Sequence, residues 1–335
     1  MRKMKIIDGY SSSLSLRETQ KAIKYVKDTF QIEISAALKL ERISAPLFVK
    51  SGCGINDDLN GVERNVTFDI KELGENAEVV QSLAKWKRLA LSRYGFEKGK
   101  GLYTDMCAIR RDDDMDNDHS IYVDQWDWEK VIDRSDRNLE YLKHTVRKIV
   151  GAIVATKDKV MYHYPDLKFD VEPEVFFIRS QELEDMYPNL TPKQREHEIV
   201  KEHKTVFIMQ IGDLLKSGVK HDGRAPDYDD WQLNGDLLFW NNILSQPIEL
   251  SSMGIRVDEK SLISQLEKTG DTDRLKFDYH KKIANGELPL TIGGGIGQSR
   301  LCMFLLEKMH IGEVQASVWP EETLKVCREH KINIL

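Results

Sequence analysis

Cysteines are few and scattered in this sequence of 335 residues, and long apolar runs are absent. The four cysteines (Cys53, Cys107, Cys302 and Cys327) form no CxxC pair, which argues against a disulfide framework or a structural zinc site and suits a reducing compartment. No run of about 18 apolar residues occurs, so no membrane-spanning helix is predicted. Residues 1–15 have no apolar core of signal-peptide length, and we expect a cytoplasmic protein.

An excess of basic charge is also lacking. The 49 lysines and arginines are outnumbered by 55 aspartates and glutamates, and the net charge is −6. This balance does not favour tight contact with a nucleic-acid backbone, so we expect no nucleic-acid partner and no membrane partner. With 41% hydrophobic and 31% charged residues, the composition is that of an ordinary globular protein. No repeat or Ser/Pro-rich linker divides the chain, and we expect one domain over residues 1–335.

Hydrophobic spacing predicts strands that come as hairpins, with helices between the groups. Helices are expected at 16–40, within 78–94, and at 128–156, 194–204, 261–266 and 273–284. Strands are expected at 43–49, 62–70, 102–109, 121–128, 175–178, 206–211, 237–240, 248–250 and 255–257, with a Gly- and Asn/Asp-rich loop at 51–61. This pattern predicts the α+β class, with a mixed, mainly antiparallel sheet flanked by helices.

The stretch TIGGGIGQSR (291–300) has four glycines in five positions. A backbone without side chains lets a flat ligand lie directly against it. The apolar run that follows predicts a buried helix with Arg300 in its first turn, from which a guanidinium can reach phosphates. The GxGxxG pattern would need a third glycine at Gln298 or Arg300, and the Walker pattern is absent. A nucleotide-binding floor is one interpretation, and a tight turn feeding a helix is the other.

Two further segments carry polar side chains in a regular pattern. In VDQWDWE (123–129), a strand would place Gln125, Asp127 and Glu129 on one face and the two tryptophans on the other. Such an acceptor-rich row suits an ammonium group, a ribose or a metal-bound phosphate, and a solvated sheet face is the alternative. In the loop that precedes it, Arg110 is suited to clamp an α-phosphate and His119 to contact terminal phosphates. The acidic run 112–118 is interpreted as a solvated tip in preference to a metal site.

Carboxylates and arginines also cluster at 221–258. Asp236 and Glu249 flank two predicted strands and could share a magnesium ion. Arg256, across an expected turn at Gly254, is suited to pair with a substrate carboxylate. The loop HDGRAPDYDDW (221–231) adds Arg224, Asp227 and Asp229, and either binding or surface decoration would explain it.

These segments resemble those of known enzymes. Arg110, the acidic loop and VDQWDWE resemble motif 2 of the class II aminoacyl-tRNA synthetases, GGGIGQSR resembles motif 3, and the helix ending at Pro46 resembles the dimer-forming motif 1. Within that superfamily the chain resembles the aspartate–ammonia ligases (ammonia-dependent asparagine synthetases). The matching stretches are SLAKWKR (82–88), GLYTDM (101–106), YVDQWDWE (122–129), RAPDYDDW (224–231), LNGD (233–236), ELSSMGIRVD (249–258) and TIGGGIGQSR (291–300). One departure is that Trp231 runs almost directly into Leu233, where a family member has a longer loop, which leaves open how the site is closed at that edge.

The resemblance implies a class II synthetase-like catalytic core that converts aspartate, ATP and ammonia to asparagine, AMP and pyrophosphate through a β-aspartyl-adenylate. Its implied catalytic residues are Arg110, Arg300, Asp57 and Lys87. Its implied aspartate-binding residues are Asp57, Lys87, Gln125, Asp127, Ser252 and Arg256. Its implied nucleotide-binding residues are Arg110, His119, Asp229, Asp236, Glu249, Gly295 and Arg300, with Asp236 and Glu249 as ligands of Mg²⁺.

Some assignments stay open at this level. Lys85 is the rival of Lys87, because the two point about 200° apart on a helix and only one can face the site. Asp57 is a candidate base for incoming ammonium. Position 2 is Arg2 and Cys53 lies in no GxCxG elbow, so free ammonia is the expected nitrogen donor. A homodimer through residues 16–49 is implied by the superfamily. The alternatives are an aspartyl-tRNA synthetase-like enzyme and a non-catalytic paralogue that acts as a binding module.

Overall fold

The computed structural model of the chain describes residues 4–57, 59 and 63–335. Asp58, Asn60, Gly61 and Val62, which belong to the predicted loop 51–61 and to the start of the predicted strand 62–70, lie outside the described residues. The helices are α1 (Leu16–Leu38), α2 (Ala84–Arg93), α3 (Leu139–His163), α4 (Ser180–Met186), α5 (Pro192–His203), α6 (Glu259–Thr269), α7 (Asp278–Ala284), α8 (Gln298–Leu305) and α9 (Glu321–Glu329). The strands are β1 (Leu40–Arg42), β2 (Phe48–Lys50), β3 (Thr67–Ile70), β4 (Glu75–Val79), β5 (Gly101–Ile109), β6 (Tyr122–Val131), β7 (Phe176–Arg179), β8 (Thr205–Met209), β9 (Asp229–Asn241), β10 (Gln246–Arg256) and β11 (Thr291–Gly297).

Eight strands form one sheet in the order β1-β5-β6-β11-β10-β9-β8-β7. The central pairs are antiparallel, and the pairs β1–β5 and β7–β8 at the two edges are parallel. A separate antiparallel sheet has the order β2-β4-β3. The predicted mixed, mainly antiparallel sheet flanked by helices is therefore confirmed. Within the described residues, no helix combines the length and apolar character needed to cross a membrane.

One face of the large sheet is covered by α1 and α3. Helix α1 begins at a capping box in which Ser15 and Glu18 exchange hydrogen bonds, and a stripe spaced by four residues is almost wholly buried. The stripe consists of Ala22, Val26, Phe30, Ile34 and Leu38. The Phe30 ring packs on Trp126 of β6 at a centroid distance of 4.7 Å. The tryptophans of β6 thus point into the core, which leaves the polar row of the same strand on the opposite face.

The structure corrects the strand and helix boundaries near this row. Strand β6 continues to Val131, and α3 starts only at Leu139, after its Asn138 cap, instead of at Trp128. Strands β9 and β10 are much longer than predicted, and Gly254 lies inside β10 rather than in a turn. Residues 231–234 are part of β9, so the short connection after Trp231 is a continuous strand and not a shortened loop. The boundaries were predicted from runs of apolar residues, and such runs cover only the most buried part of each strand.

The glycine-rich stretch is a strand, β11, hydrogen-bonded between β6 and β10. The interpretation as a tight turn is therefore wrong, whereas a side-chain-free floor is what the strand provides. A Cβ added to Gly293 would lie 1.9 Å from the Oε2 atom of Glu129, and one added to Gly295 would lie 2.4 Å from the Oε1 atom of Gln125. Side chains of β6 already occupy the space over these glycines.

This crowding predicts opposite outcomes for two Gly→Ala substitutions. Gly293→Ala should lower the free energy of unfolding by about 1–3 kcal/mol or more, because the methyl group overlaps buried charged atoms. Gly151→Ala is the matched control: Gly151 is exposed within α3, and no atom lies within 4 Å of the added Cβ. The control should raise the free energy of unfolding by about 0.5–1 kcal/mol through helix propensity. Urea unfolding of both variants measures this, and equal effects would contradict the account.

Candidate active site

A cavity of about 530 Å³ lies on the face of the sheet opposite α1, over β6, β11 and β10. Every site residue that the family resemblance implies lines this cavity, whereas Glu129 of the polar row and Asp227 of the loop 221–231 do not. The implied residues are Asp57, Lys87, Arg110, His119, Gln125, Asp127, Asp229, Asp236, Glu249, Ser252, Arg256, Gly295 and Arg300. Their individual roles stay predictions, but the fold brings all of them to one place.

Lys87 enters the cavity from α2 and is almost wholly buried. Its Nζ atom donates to the Oδ1 atom of Asp127 and to the carbonyl oxygen of Gly294, both at 3.0 Å. Burial lowers the pKa of Lys87, and the nearby carboxylates of Asp127 and Glu129 oppose that shift. Lys85, two residues earlier, turns away to Asp227 at 2.7 Å. Of these two lysines, Lys87 is therefore the one that faces the cavity.

Arg256 at the end of β10 is held by two buried carboxylates. Its Nε and Nη2 atoms donate to Glu129 at 2.8–3.1 Å, and its Nη1 atom donates to Asp229. Burial opposes the charge, but these carboxylates prevail and raise the pKa of Arg256. Thr291 donates to the same Glu129 at 2.7 Å. The guanidinium is thus held in one orientation before any substrate arrives.

Glu129 and Arg224 are the residues that sequence reasoning undervalued. Glu129 was grouped with the ligand-binding row, but its carboxylate is committed to Arg256. Arg224 came from the loop 221–231, for which surface decoration was an equal alternative. Its Nη2 atom donates to the Oδ1 atom of Asp236 at 2.6 Å, and its Nη1 atom donates to Ser252. Because Asp227 and Asp229 of this loop are also buried, surface decoration is wrong for the loop.

Arg110 and Arg300 lie at the other end of β11 from Arg256. The Nε and Nη1 atoms of Arg300 donate to the carbonyl oxygens of Asp118, at 3.1 Å, and Glu249, at 3.0 Å. Arg110 donates to the carbonyl oxygen of Gln81 at 3.3 Å, and its buried Nε atom has no hydrogen-bond partner among the described residues. Both guanidinium groups are therefore held by neutral groups, and their charge is available to an anion.

Both the sequence and the fold of this chain match known proteins. The sequence model of one protein family, described as aspartate-ammonia ligase, matches residues 17–331. An aspartate–ammonia ligase of Ruminiclostridium cellulolyticum is 58% identical over 329 residues, which cover 98% of each chain. A second one, from Ligilactobacillus salivarius, is 59% identical and covers 97% of this chain and 98% of its own.

The chain belongs to the aspartate–ammonia ligase family. The predicted family is confirmed, and with it the prediction that the chain is a ligase. Among solved structures, asparaginyl-tRNA synthetase of Pyrococcus horikoshii complexed with asparaginyl-adenylate superposes with a TM-score of 0.65 at 15% identity, over 90% of this chain and 70% of that one. The Entamoeba histolytica asparaginyl-tRNA synthetase, also with asparaginyl-adenylate, gives 0.63 at 13%, over 90% and 66%. These likenesses confirm the class II synthetase-like fold.

The ligase cavity contains a pair of carboxylates suited to a divalent cation. Asp236 of β9 and Glu249 of β10 point from adjacent strands into the cavity. Burial raises the pKa of Glu249, and the charge of Asp236 raises it further. A divalent cation would relieve this repulsion, and carboxylate oxygens are ligands that Mg²⁺ prefers. The residues present therefore fit a magnesium site.

The acidic loop 110–119 differs from its prediction. Its residues Asn117 and Asp118 are buried, so the interpretation as a solvated tip is wrong for them. The Nδ1 atom of His119 lies 2.8 Å from Asp116 and 3.0 Å from Asp118. Burial and Arg300 lower the pKa of His119, but the bonds to these two carboxylates outweigh them, and the pKa is raised above 6.5. Ligand atoms of the three residues lie within 4.8 Å of one another.

This shift predicts a pH-dependent contribution to stability. Because the folded-state pKa of His119 lies above the unfolded value, its contribution is complete below about pH 6.5 and is lost as the pH rises through the folded-state pKa. The difference in unfolding free energy between the wild type and His119→Gln should therefore be larger at pH 6 than at pH 9. Urea unfolding across this range measures it. A difference that grows with pH would refute the assignment.

Proposed function

We propose that the chain makes asparagine from aspartate, ATP and ammonia, with β-aspartyl-adenylate formed in this cavity. The observation that carries the proposal is the separation of cations along β11. Arg256 and Lys87 lie over Gly293 and Gly294, whereas Arg300 lies against Gly297. Four strand residues span roughly 13 Å. The cavity thus offers two distinct anion sites on one side-chain-free floor.

The first site suits the amino-acid end of aspartate. Lys87 and Arg256 would bind the α-carboxylate, which leaves the β-carboxylate directed along β11 towards Arg300. Asp57, Gln125 and Asp127 supply acceptors for the α-ammonium group, with Ser252 at the edge of this site. The preformed Arg256–Glu129 pair lowers the cost of ordering the site on binding.

The second site suits the phosphates. A β-carboxylate oxygen attacks the α-phosphorus of ATP, and the bond to the departing pyrophosphate breaks. Arg110 and Arg300 stabilise the charge that develops on the α-phosphate, and His119 attracts the pyrophosphate end when its imidazole is protonated. The family resemblance also assigns Asp229 and Gly295 to the nucleotide, although Asp229 accepts from Arg256 at the amino-acid end of the cavity. Asp236 and Glu249 would hold Mg²⁺, which supplies charge neutralisation to the phosphates.

Ammonia completes the reaction. Its nitrogen attacks the acyl carbon, the bond from that carbon to the phosphate oxygen breaks, AMP leaves, and the new amide nitrogen releases a proton to solvent. No side chain forms a covalent bond in either step, so catalysis depends on positioning and electrostatics. Asp57 lines the cavity, and we propose it as the base that accepts the proton that ammonium must lose before it attacks.

The first test is the product formed from ATP. Wild-type protein mixed with ATP, Mg²⁺, aspartate and ammonium should release AMP, and Arg300→Ala should lower kcat by about 10²-fold or more, as for loss of a transition-state charge contact. ADP as product would exclude adenylation, and AMP that appears only with tRNA would favour the synthetase-like alternative. A protein that binds ATP but releases no AMP would favour the non-catalytic alternative.

The metal assignment has a binding test. Glu249→Gln should weaken Mn²⁺ binding in the presence of a non-hydrolysable ATP analogue by about tenfold or more, because one anionic ligand is lost. Glu75→Gln is the control, since Glu75 is exposed on β4 and pairs with Lys50. Electron paramagnetic resonance of free Mn²⁺ gives both affinities. Equal affinities in the two variants would remove Glu249 from the metal site.

A homodimer through residues 16–49 belongs to the same proposal. Apolar side chains of this segment are exposed on the single chain, including Ile32 at 68%, Leu47 at 53% and Phe48 at 45%. The wild type should sediment as a dimer, and Phe48→Asp should shift it towards the monomer. Phe169→Asp, at a phenylalanine outside the segment that is 40% exposed, should leave the dimer intact. A monomeric wild type in analytical ultracentrifugation would contradict the proposal.

A further inference from the structure

Asn117 is a buried amide in the loop that carries His119. Its Nδ2 atom donates to the carbonyl oxygens of Lys5, at 3.0 Å, and Met309, at 2.9 Å. Its Oδ1 atom accepts from the main-chain N–H of Lys5 at 2.7 Å. Its own carbonyl oxygen accepts from the N–H of Ile311 at 2.7 Å. One side chain therefore joins three segments that are far apart in the sequence.

The N-terminal segment, defined here as residues 4–12, is itself attached to the body of the protein. The hydroxyl of Tyr10 lies 2.9 and 3.0 Å from the two carboxylate oxygens of Glu313. The N–H of Ile7 donates to the sulfur of Met309 at 3.4 Å, and the Nζ atom of Lys5 donates to the carbonyl oxygen of Leu244. The N-terminal segment that hydrogen-bonds to Asn117 is thus itself fixed to the rest of the protein.

The set of hydrogen bonds that joins Asn117 to Lys5, Met309 and Ile311 is called the clamp here. The residue after Asn117, Asp118, connects this clamp to the cavity. The carbonyl oxygen of Asp118 accepts from the Nε atom of Arg300 at 3.1 Å, and its carboxylate lies 3.0 Å from the Nδ1 atom of His119. A shift of the main chain at Asn117 moves both acceptors. The positions of a guanidinium and an imidazole in the cavity therefore depend on a side chain that lies outside the cavity lining.

We propose that Asn117, through its hydrogen bonds to the N-terminal segment, is a positioning residue. It holds Arg300 and His119 in the orientation that binds the nucleotide. This inference rests on the proposed nucleotide-binding roles of those two residues. An amide fits the position because it presents two donors and an acceptor in one plane. A carboxylate would face two carbonyl oxygens, and an apolar side chain would leave the N–H and carbonyl of Lys5 and the buried carbonyl of Met309 without this partner.

The experiment compares Asn117→Ala, a chain that lacks residues 1–7, and the two changes combined. The truncation removes Lys5 but retains the contact of Tyr10 with Glu313. Each single change should raise the KM for ATP by about tenfold or more and leave the KM for aspartate within about twofold. Because both changes remove the same clamp, the combined variant should be no worse than the more impaired single one.

The control is Asn138→Ala, which removes the cap of α3 outside the cavity lining. It should lower the melting temperature without changing the ratio of the two KM values. Equal rises in both KM values, a fall in melting temperature alone, or additive effects of the two changes would overturn the proposal. If Asn117→Ala does not fold, the KM ratio of the truncated chain decides.

Arg300→Ala, assayed in parallel, separates this proposal from the one on which it rests. If Arg300→Ala is impaired and the clamp variants are not, the clamp is wrong and the proposed function stands. If Arg300→Ala behaves as the wild type, the nucleotide-binding role of Arg300 fails, and the clamp as proposed fails with it.

Discussion

The site depends on a strand that has no side chains where its neighbours need room. Glu129, Arg256, Gln125 and Asp127 all extend over β11, and the space that they fill is the space that side chains at Gly293 and Gly295 would take. In most sheets, alternate residues of adjacent strands compete for one face. Here the central strand, β11, contributes glycines and therefore almost no side chains to this face. Polar side chains from β6 and β10 can therefore meet over it and form a charged floor inside a protein.

That floor balances its charges before a ligand binds. Buried Lys87 and Arg256 are matched by Asp127, Glu129 and Asp229, and Glu129 serves both cations. An isolated buried charge would cost several kcal/mol, but a network in which each charge has a partner is tolerated. Within the described part of the chain, the hydrogen-bond partners of Arg110 and Arg300 are carbonyl oxygens. The two ends of the cavity thus differ. At the end with Lys87 and Arg256, the cations already have carboxylate partners, and at the end with Arg110 and Arg300 they do not.

Much of this arrangement could be predicted from local sequence patterns. The two faces of VDQWDWE follow from the alternation of a strand. The roles of Asp57, Lys87 and Ser252 were implied only by the family resemblance, and these residues line the same cavity. Local sequence patterns did not predict contacts between residues that are far apart in the chain. Glu129 is committed to Arg256, 127 residues away, and no local signal distinguishes it from Asp127. Asn117 looked solvated because its neighbours are acidic, whereas its partners lie near the two ends of the chain. The glycine strand was ambiguous because glycine usually weakens strands.

The central claim is that the β-carboxylate of aspartate becomes joined to AMP. The most direct measurement supplies aspartate labelled with ¹⁸O in both β-carboxylate oxygens, together with ATP and ammonium, and determines the label by mass spectrometry of the products. Adenylation followed by attack of ammonia on the acyl carbon predicts one ¹⁸O in the phosphate of AMP and one in the side-chain amide of asparagine. AMP without ¹⁸O would contradict the account.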